Sequence, residues 1–409
     1  MRDTPPSYFF GLDVGTATVR CVVGMFNPEK PNELSVVGHG SARNIGMRKG
    51  VVVHIDDVTE AISHAVTEAE RISGVPIKRA TVNINGTHVS GINSKGVVAI
   101  SAANREISTD DRYRAEEAAT IMQLPPNREI IQVFAKNYRV DGQDNIKDPV
   151  GMSGVRLEVD THIVTAATPT LKSLTATLER AHVDINHITV SSLAAAEAVL
   201  SRQQKESGTV LLDIGAGTTN LVVVEDGEIQ HVAILPLGGL HITNDLAIGL
   251  KTDLDVAELV KVKHATLEAP DYDKITLHHN DKEYSFTKSE IHMITEARVD
   301  ELFDYVDKEL KKIGRSRKLP GGAVLVGGTA KLPGIADFAK EKLQLAARVG
   351  ELQPLQGLVD VVDDPAFVTA IGLMQLDMLL MPDPTAAHGT PNQKALGMIE
   401  GLLRRLRKN

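Results

Sequence analysis

Two short segments place the same chemistry at positions 200 residues apart: GLDVGTAT at residues 11–18 and LLDIGAGTTN at residues 211–220. Each sets an aspartate at the end of an apolar β-run, then glycine and threonine in a tight turn, then a second β-run over residues 19–23 and 221–224. A hairpin of this kind can hold phosphate at its tip. Gly15, Gly215 and Gly217 can take positive φ and let backbone N–H groups approach phosphate oxygens, while Thr16, Thr218 and Thr219 supply hydroxyl donors. Ala17 and Ala216 complete the two turns. Asp13 and Asp213 only accept, so they cannot face phosphate directly. The species that suits the space between them is a hydrated Mg²⁺, which keeps several waters and takes few carboxylates. Their separation predicts two similar half-domains that close on one ligand, each contributing a hairpin.

A third segment, VLVGGTAKLPG at residues 324–334, reads as a strand over 324–326 that enters Gly327 and Gly328, passes Thr329 and Lys331, and leads to a helix from about Ile335. A nucleotide can lie against such a turn. Each segment alone is an ordinary hairpin or loop. All three in this order, each after a β-run, point to one divided nucleotide site.

The ordered trio resembles the actin, sugar-kinase and heat-shock ATPase superfamily, and within it most closely the FtsA family of bacterial division proteins; the resemblance covers nearly the whole chain. By position, Asp13, Gly15 and Thr16 match the first phosphate motif, Asp213, Gly215, Gly217 and Thr218 the second, and Gly327, Gly328 and Thr329 the adenosine motif. PLGGL at residues 236–240 precedes a helix expected from about Asn244, with Gly238 and Gly239 placed like the phosphate-side glycines. AELVK at residues 257–261 resembles the helix that flanks the adenosine, making Glu258 and Lys261 candidates there; their alternative is a solvated i, i+3 pair. The sequence departs from the common pattern at Ala216, where a third glycine is frequent, and at Asn220, where many relatives carry aspartate. Without that carboxylate, vigorous hydrolysis is not expected. Asp213 is the one catalytic candidate, as a residue that positions water or holds Mg²⁺.

At 409 residues the chain exceeds the size of a single core, which predicts two or more domains. Its only cysteine, Cys21, lies within a β-run and reads as a core residue of a reduced, cytosolic protein. No charged-then-apolar leader and no run of 18 apolar residues is present, so neither secretion nor a membrane span is expected. The fourteen histidines include no H-E-x-x-H and no Cys/His ligand spacing, which argues against structural zinc.

Charge is unevenly placed. Lys394, Arg404, Arg405, Arg407 and Lys408 stand against Glu400, a local +4 that leaves −13 on the rest of a chain whose net charge is −9. Leu396, Ile399, Leu402, Leu403 and Leu406 recur at three- and four-residue steps, so a helix here has a leucine stripe and a basic flank. That pattern suits a helix lying in an anionic membrane interface, where each basic residue contributes about 1 kcal/mol. The preceding MPDPTAAHGTPNQ reads as a tether, which favours reaching away from the body over docking onto it. Nucleic acid is not expected as a partner, because the body is acidic and the tail has no stacking aromatics.

The fold class that follows is α/β: a two-lobed, actin-like ATPase fold with duplicated core subdomains, a small inserted α+β subdomain and a C-terminal amphipathic helix. Residues 1–84 and 162–205 form the first core lobe, with strands at 8–12, 19–23, 34–38 and 79–84 and a helix at 57–73. Residues 85–161 form the insertion, with a β-run at 96–101, a helix at 109–122 opened by Ser108, and strands at 129–134 and 156–163. Residues 206–240 and 320–380 form the second core lobe. A further subdomain spans 241–319, with a helix at 253–265, a hairpin near 275–286 and a long helix from Lys288 to about Ile313. Residues 381–393 are the tether and 394–409 the amphipathic helix.

The resemblance implies ATP and Mg²⁺ as cofactors, head-to-tail polymerisation, and attachment of the division tubulin FtsZ to the inner face of the membrane. It places the FtsZ C-terminal peptide on the 241–319 subdomain, where Lys288 and Arg298 are the candidate contacts, with Ile291 and Ile294 packing inward or on the peptide. It places later division proteins on the insertion. Two alternatives share the ATPase core. A pilus-assembly protein of the PilM type has the insertion but not the terminal helix. A small-molecule kinase needs a catalytic aspartate between the lobes, and no clear candidate is present. A heat-shock chaperone would need a long β-domain after the core, for which only about thirty residues remain.

Overall fold

The computed structural model describes residues 7–26, 34–269 and 273–380. The tether and the amphipathic tail, with Leu396, Ile399, Leu402, Leu403, Arg404, Arg405, Leu406, Arg407 and Lys408, lie outside the described residues.

Two mixed sheets form the core lobes, and their strand order is the same. In the first, Asp184–Val190, Arg79–Ile84, Ser7–Val14, Thr18–Phe26 and Leu34–Arg43 are neighbours in that order, with the short Gln356–Gly357 at the far edge. In the second, Ala347–Val349, Gly322–Val326, Thr209–Ile214, Thr219–Glu225 and Glu228–Leu235 repeat the arrangement. Each aspartate motif therefore ends the central strand of its sheet. That strand pairs antiparallel with its hairpin partner and parallel with the next strand, as in Gly11 beside Thr81 and Asp213 beside Val326. The central strands are buried on both faces, which accounts for their continuous apolar runs.

Small residues set how closely helices approach the first sheet. The helix Ile55–Ser73 buries Val58, Ala61, Ile62, Ala65, Val66 and Ala69 and ends at Gly74 in the left-handed region, φ 70°. A Cβ on Gly40 would lie 2.0 Å from the Ala65 carbonyl, so only glycine lets strand and helix meet. On the other face, Val368–Leu379 lies against the first strand, with Gly11 facing the Ala370 carbonyl. The helix Ser191–Val199, buried at every residue, links the lobes and packs on Val368–Leu379 where Gly372 meets Ala194.

The insertion is a four-stranded antiparallel sheet, Ser90–Ala99, Arg156–Ala167, Arg128–Val140 and Gln143–Ile146, with the helix Thr109–Thr120 against it. Ser108 and Asp111 form a reciprocal capping box at that helix, as the opening Ser-Thr-Asp-Asp predicts. Two strands run longer than their local apolar patterns. The expected 96–101 run is Ser90–Ala99, and 129–134 continues to Val140, because pairing along the whole of Arg156–Ala167 extends both. The remaining subdomain contains Gly239–Gly249, Leu254–His264, the hairpin Lys274–His279 with Lys282–Thr287, and the long helix Lys288–Lys312 capped by Thr287 and Glu290. No described helix is long and apolar enough to cross a membrane.

Candidate nucleotide cleft

The two hairpin tips face each other across a cavity of about 470 Å³. Asp13, Gly15, Thr16, Ala17, Asp213, Gly215, Ala216, Thr218, Asn220, Gly239, Glu258, Lys261, Gly327, Gly328, Thr329 and Lys331 all line it. Residues from three separate motifs, the turn at Gly239 and the helix Leu254–His264 thus converge.

Both aspartates are almost fully buried. Burial, with the Asp213 charge as a smaller contribution, pushes Asp13 up to about 7 against the pull of Arg20 and a 2.6 Å hydrogen bond from Asn83. Burial likewise raises Asp213 to about 6, although Thr369 donates to it at 3.3 Å and Asn220 at 3.4 Å. The buried Asn220 Oδ1 has no hydrogen-bond partner. Two buried carboxylates and an unpartnered amide oxygen are an all-oxygen donor set, which fits a hard, hydrated cation better than a cation with nitrogen or sulfur ligands. Among the described residues there is no cluster of three or more His, Cys, Asp or Glu side chains suited to metal.

The turn before Gly239–Gly249 is pinned to the second hairpin. Gly239 and Leu240 donate their backbone N–H groups to the Gly215 and Ala216 carbonyls at 2.9 and 2.8 Å, and Thr329 donates its hydroxyl to Gly215 at 3.1 Å. The helix consequently begins at Gly239, five residues before the expected Asn244, since these carbonyls satisfy the first orphan amides. Lys261 reaches the Gly239 carbonyl at 3.3 Å, Thr243 at 2.9 Å and Glu258 at 2.6 Å. The Glu258–Lys261 pair therefore belongs to the cavity wall and is more than a solvated surface pair.

Three nucleotide-site candidates, Thr219, Gly217 and Gly238, stand off the cavity wall, and the peptide-site candidates lie on the long helix. Thr219 is fully buried and donates to the Leu237 carbonyl at 2.9 Å, so alternation along its strand points its hydroxyl away from the cavity. Gly217 abuts Thr16, where a Cβ would approach to 2.9 Å. Gly238 presses on the Gly215 and Ala216 carbonyls, an approach any side chain would block. Both glycines serve packing between motifs rather than the cavity wall. Arg298 is held by Asp245 and Glu301 as an ion-paired side chain of the long helix. Lys288 is half-buried at the start of that helix, Ile291 is fully buried and Ile294 packs on the same core.

Sequence reading missed Arg20, Asn83, Asn85, Asp364, Phe367 and Thr369. Arg20 lines the cavity opposite Asp13 in the hairpin register and lies 5.4 Å over the Phe367 ring. Its signal was available: a cation paired across the hairpin from the motif aspartate must share that aspartate's face of the sheet. Thr369 and Phe367 carry no such local signal: they come from one distant segment, Thr369 to Asp213 over 150 residues away in the chain and Phe367 to Arg20.

The family model described as "Cell division protein FtsA" matches residues 210–372, and that described as "SHS2 domain inserted in FTSA" matches residues 86–165. The cell division protein FtsA of Bacillus subtilis is 37% identical over 372 residues, covering 90% of this chain and 82% of that protein. The chain belongs to the FtsA family. The FtsA of Pseudomonas aeruginosa, 34% identical, covers 91% of this chain and 90% of its own length. This FtsA-family chain is thus an actin-like cell-division protein. Its fold is shared with a solved chain of the PilM–PilN type IV pilus biogenesis complex, TM-score 0.64 at 17% identity over 90% of this chain and 98% of that one. It is shared also with MreB5 of Spiroplasma citri bound to ADP, TM-score 0.52 at 14% identity over 90% of this chain and 95% of that one.

Proposed function

We propose that this FtsA-family chain binds ATP with Mg²⁺ in the cleft, polymerises head to tail, and tethers filaments of the division tubulin FtsZ to the inner face of the cell membrane. The observation that carries the reading is the cavity itself, whose walls come from both hairpins, the Gly327–Gly328 turn and the Glu258–Lys261 helix. The ADP bound by MreB5 supports a nucleotide in the same fold. Asp13, Asp213 and Asn220 hold the hydrated cation, which neutralises phosphate charge when bound. Arg20 and the hairpin amides face phosphate, and Glu258 with Lys261 flanks the adenosine. Asp213 is the residue suited to orient a water. With both motif aspartates assigned to the cation and Glu258 paired with Lys261, no carboxylate among the described cavity residues is left free for water alone, which fits slow hydrolysis and adaptor work.

Closure of the lobes on ATP pre-organises them for polymer contacts, and a filament multiplies one weak membrane helix per subunit into firm attachment. The 241–319 subdomain takes the FtsZ C-terminal peptide, with Lys288 and Arg298 as the candidate contacts; Arg298 exchanges its pairing with Asp245 and Glu301 for the peptide's carboxylates. Later division proteins meet the insertion. The deciding experiment is co-sedimentation with anionic liposomes, with and without ATP–Mg²⁺, comparing the full chain with one stopped at Gln393. Binding that needs the tail and strengthens with ATP supports the reading. Binding without the tail, or none, removes the membrane-tethering part of the reading.

A further inference from the structure

The insertion leaves the first lobe directly after Asn85 and packs on the second. Its strands Ser90–Ala99, Arg128–Val140 and Arg156–Ala167 all contact the outer strand Glu228–Leu235, which runs on into the cleft turn at Gly238 and Gly239. As an edge strand it has amides that its sheet cannot satisfy. One of them, Val232 N–H, donates to His162 Nε2 of the insertion at 3.0 Å. The His162 proton is therefore on Nδ1, which faces Asn93 Oδ1 at 2.8 Å. His162 and Val232 are each 1% exposed, and the His231 ring stands 5.6 Å from that of His162. Gly91 makes room for the contact, since a Cβ there would lie 2.3 Å from His162 Nε2 and 2.9 Å from the Val232 carbonyl. At the rim, Lys147 of the insertion pairs with Glu206 of the second lobe at 3.0 Å.

A segment covalently part of one lobe is thus hydrogen-bonded to the other, independently of the connecting helices. We propose that the insertion is a strap across the two lobes: its grip on Glu228–Leu235 holds the cleft closed and sets the rate at which the cleft opens. The consequence for nucleotide release rests on the function proposed above; the grip itself does not.

The test is amide hydrogen exchange on the full, nucleotide-free chain, followed by release of a fluorescent ATP analogue. His162→Leu removes the acceptor, and His162→Gln keeps one within reach. The strap predicts that His162→Leu speeds exchange about tenfold, the equivalent of one lost hydrogen bond, both at residues 228–235 and at the cleft turn 215–218. Nucleotide release accelerates with it, and His162→Gln stays near the parent. Faster exchange confined to residues 228–235, with the cleft turn and release unchanged, overturns the proposal. Lys147→Glu, which sets like charges together at an exposed pair, leaves the buried packing intact; it must shift exchange at residues 215–218 in the same direction, and Lys147→Glu with Glu206→Lys must restore it. A chain that binds no nucleotide removes the proposed function, while exchange at residues 215–218 still decides the strap.

Discussion

Thr218, at the tip of the second hairpin, donates its hydroxyl to Asn85 Oδ1 at 3.1 Å, joining the lobes across the cleft. The same oxygen accepts the Gly86 N–H at 2.6 Å, so Asn85 is already oriented when Thr218 reaches it. Thr218→Val keeps the shape and deletes the donor. Loss of one such bond weakens binding of an ATP analogue by about fivefold, or roughly 1 kcal/mol, with little effect on overall stability. Titration calorimetry checks it; an unchanged affinity would make the contact incidental.

Arg20 is the cation that draws Asp13 and Asp213 toward their ionised forms. Its guanidinium sits over an aromatic face at the cavity wall, where a phosphate can take it as a partner. Arg20→Met preserves much of the stem and removes the charge. A charge-assisted hydrogen bond is worth about 1.5–3 kcal/mol, so nucleotide affinity falls by about 10- to 100-fold. Equal affinity in parent and variant would place Arg20 outside the phosphate site.

Asp377, buried near the end of the helix Val368–Leu379, gathers three donors: Phe10 N–H at 2.9 Å, Thr81 Oγ1 at 2.7 Å and Asn186 Nδ2 at 2.8 Å. These come from the first strand and its two neighbours on one side. Asp377→Ala leaves all three unpaired and lowers stability by about 3–5 kcal/mol, whereas Asp377→Asn, which retains one acceptor, costs about half of that. Denaturant midpoints measure the ranking. Equal midpoints for the two variants would mean that burial, not the hydrogen bonds, is what matters at this site.

The hairpins were legible because a continuous apolar run ending in Asp-x-Gly with a threonine close behind is a local signal, and its repetition at Asp213 revealed the duplication. The insertion's helix was legible from its cap at Ser108. Thr219 was misplaced because hydroxyl chemistry suggests a donor while strand alternation decides where it points. Thr369, Phe367 and His162 were invisible for a different reason: each acts at the end of a long-range pairing, and no spacing within the sequence marks it. The helix start at Gly239 was missed because the carbonyls that cap it belong to another motif.

Acid stability isolates the same histidine. Burial, with His231 and Lys136 nearby, lowers His162 to about 3, against an unfolded value of about 6.5. Between those values the unfolded chain binds the extra proton, so this contribution is complete above about pH 6.5 and is lost as pH falls toward 3, by about 1.4 kcal/mol per unit. His88, lowered to about 4 by burial and Arg128, acts in the same sense. Asp13 and Asp213, both raised, act in the opposite sense, so the whole profile is a mixture. The stability difference between the parent and His162→Gln removes these shared contributions. Measured by denaturant unfolding, the parent should lose about 2–3 kcal/mol relative to the variant between pH 6.5 and 4.5. A flat difference across that window would mean that His162 gains its proton without breaking its bond to Val232, and the tautomer assigned from that bond would be wrong.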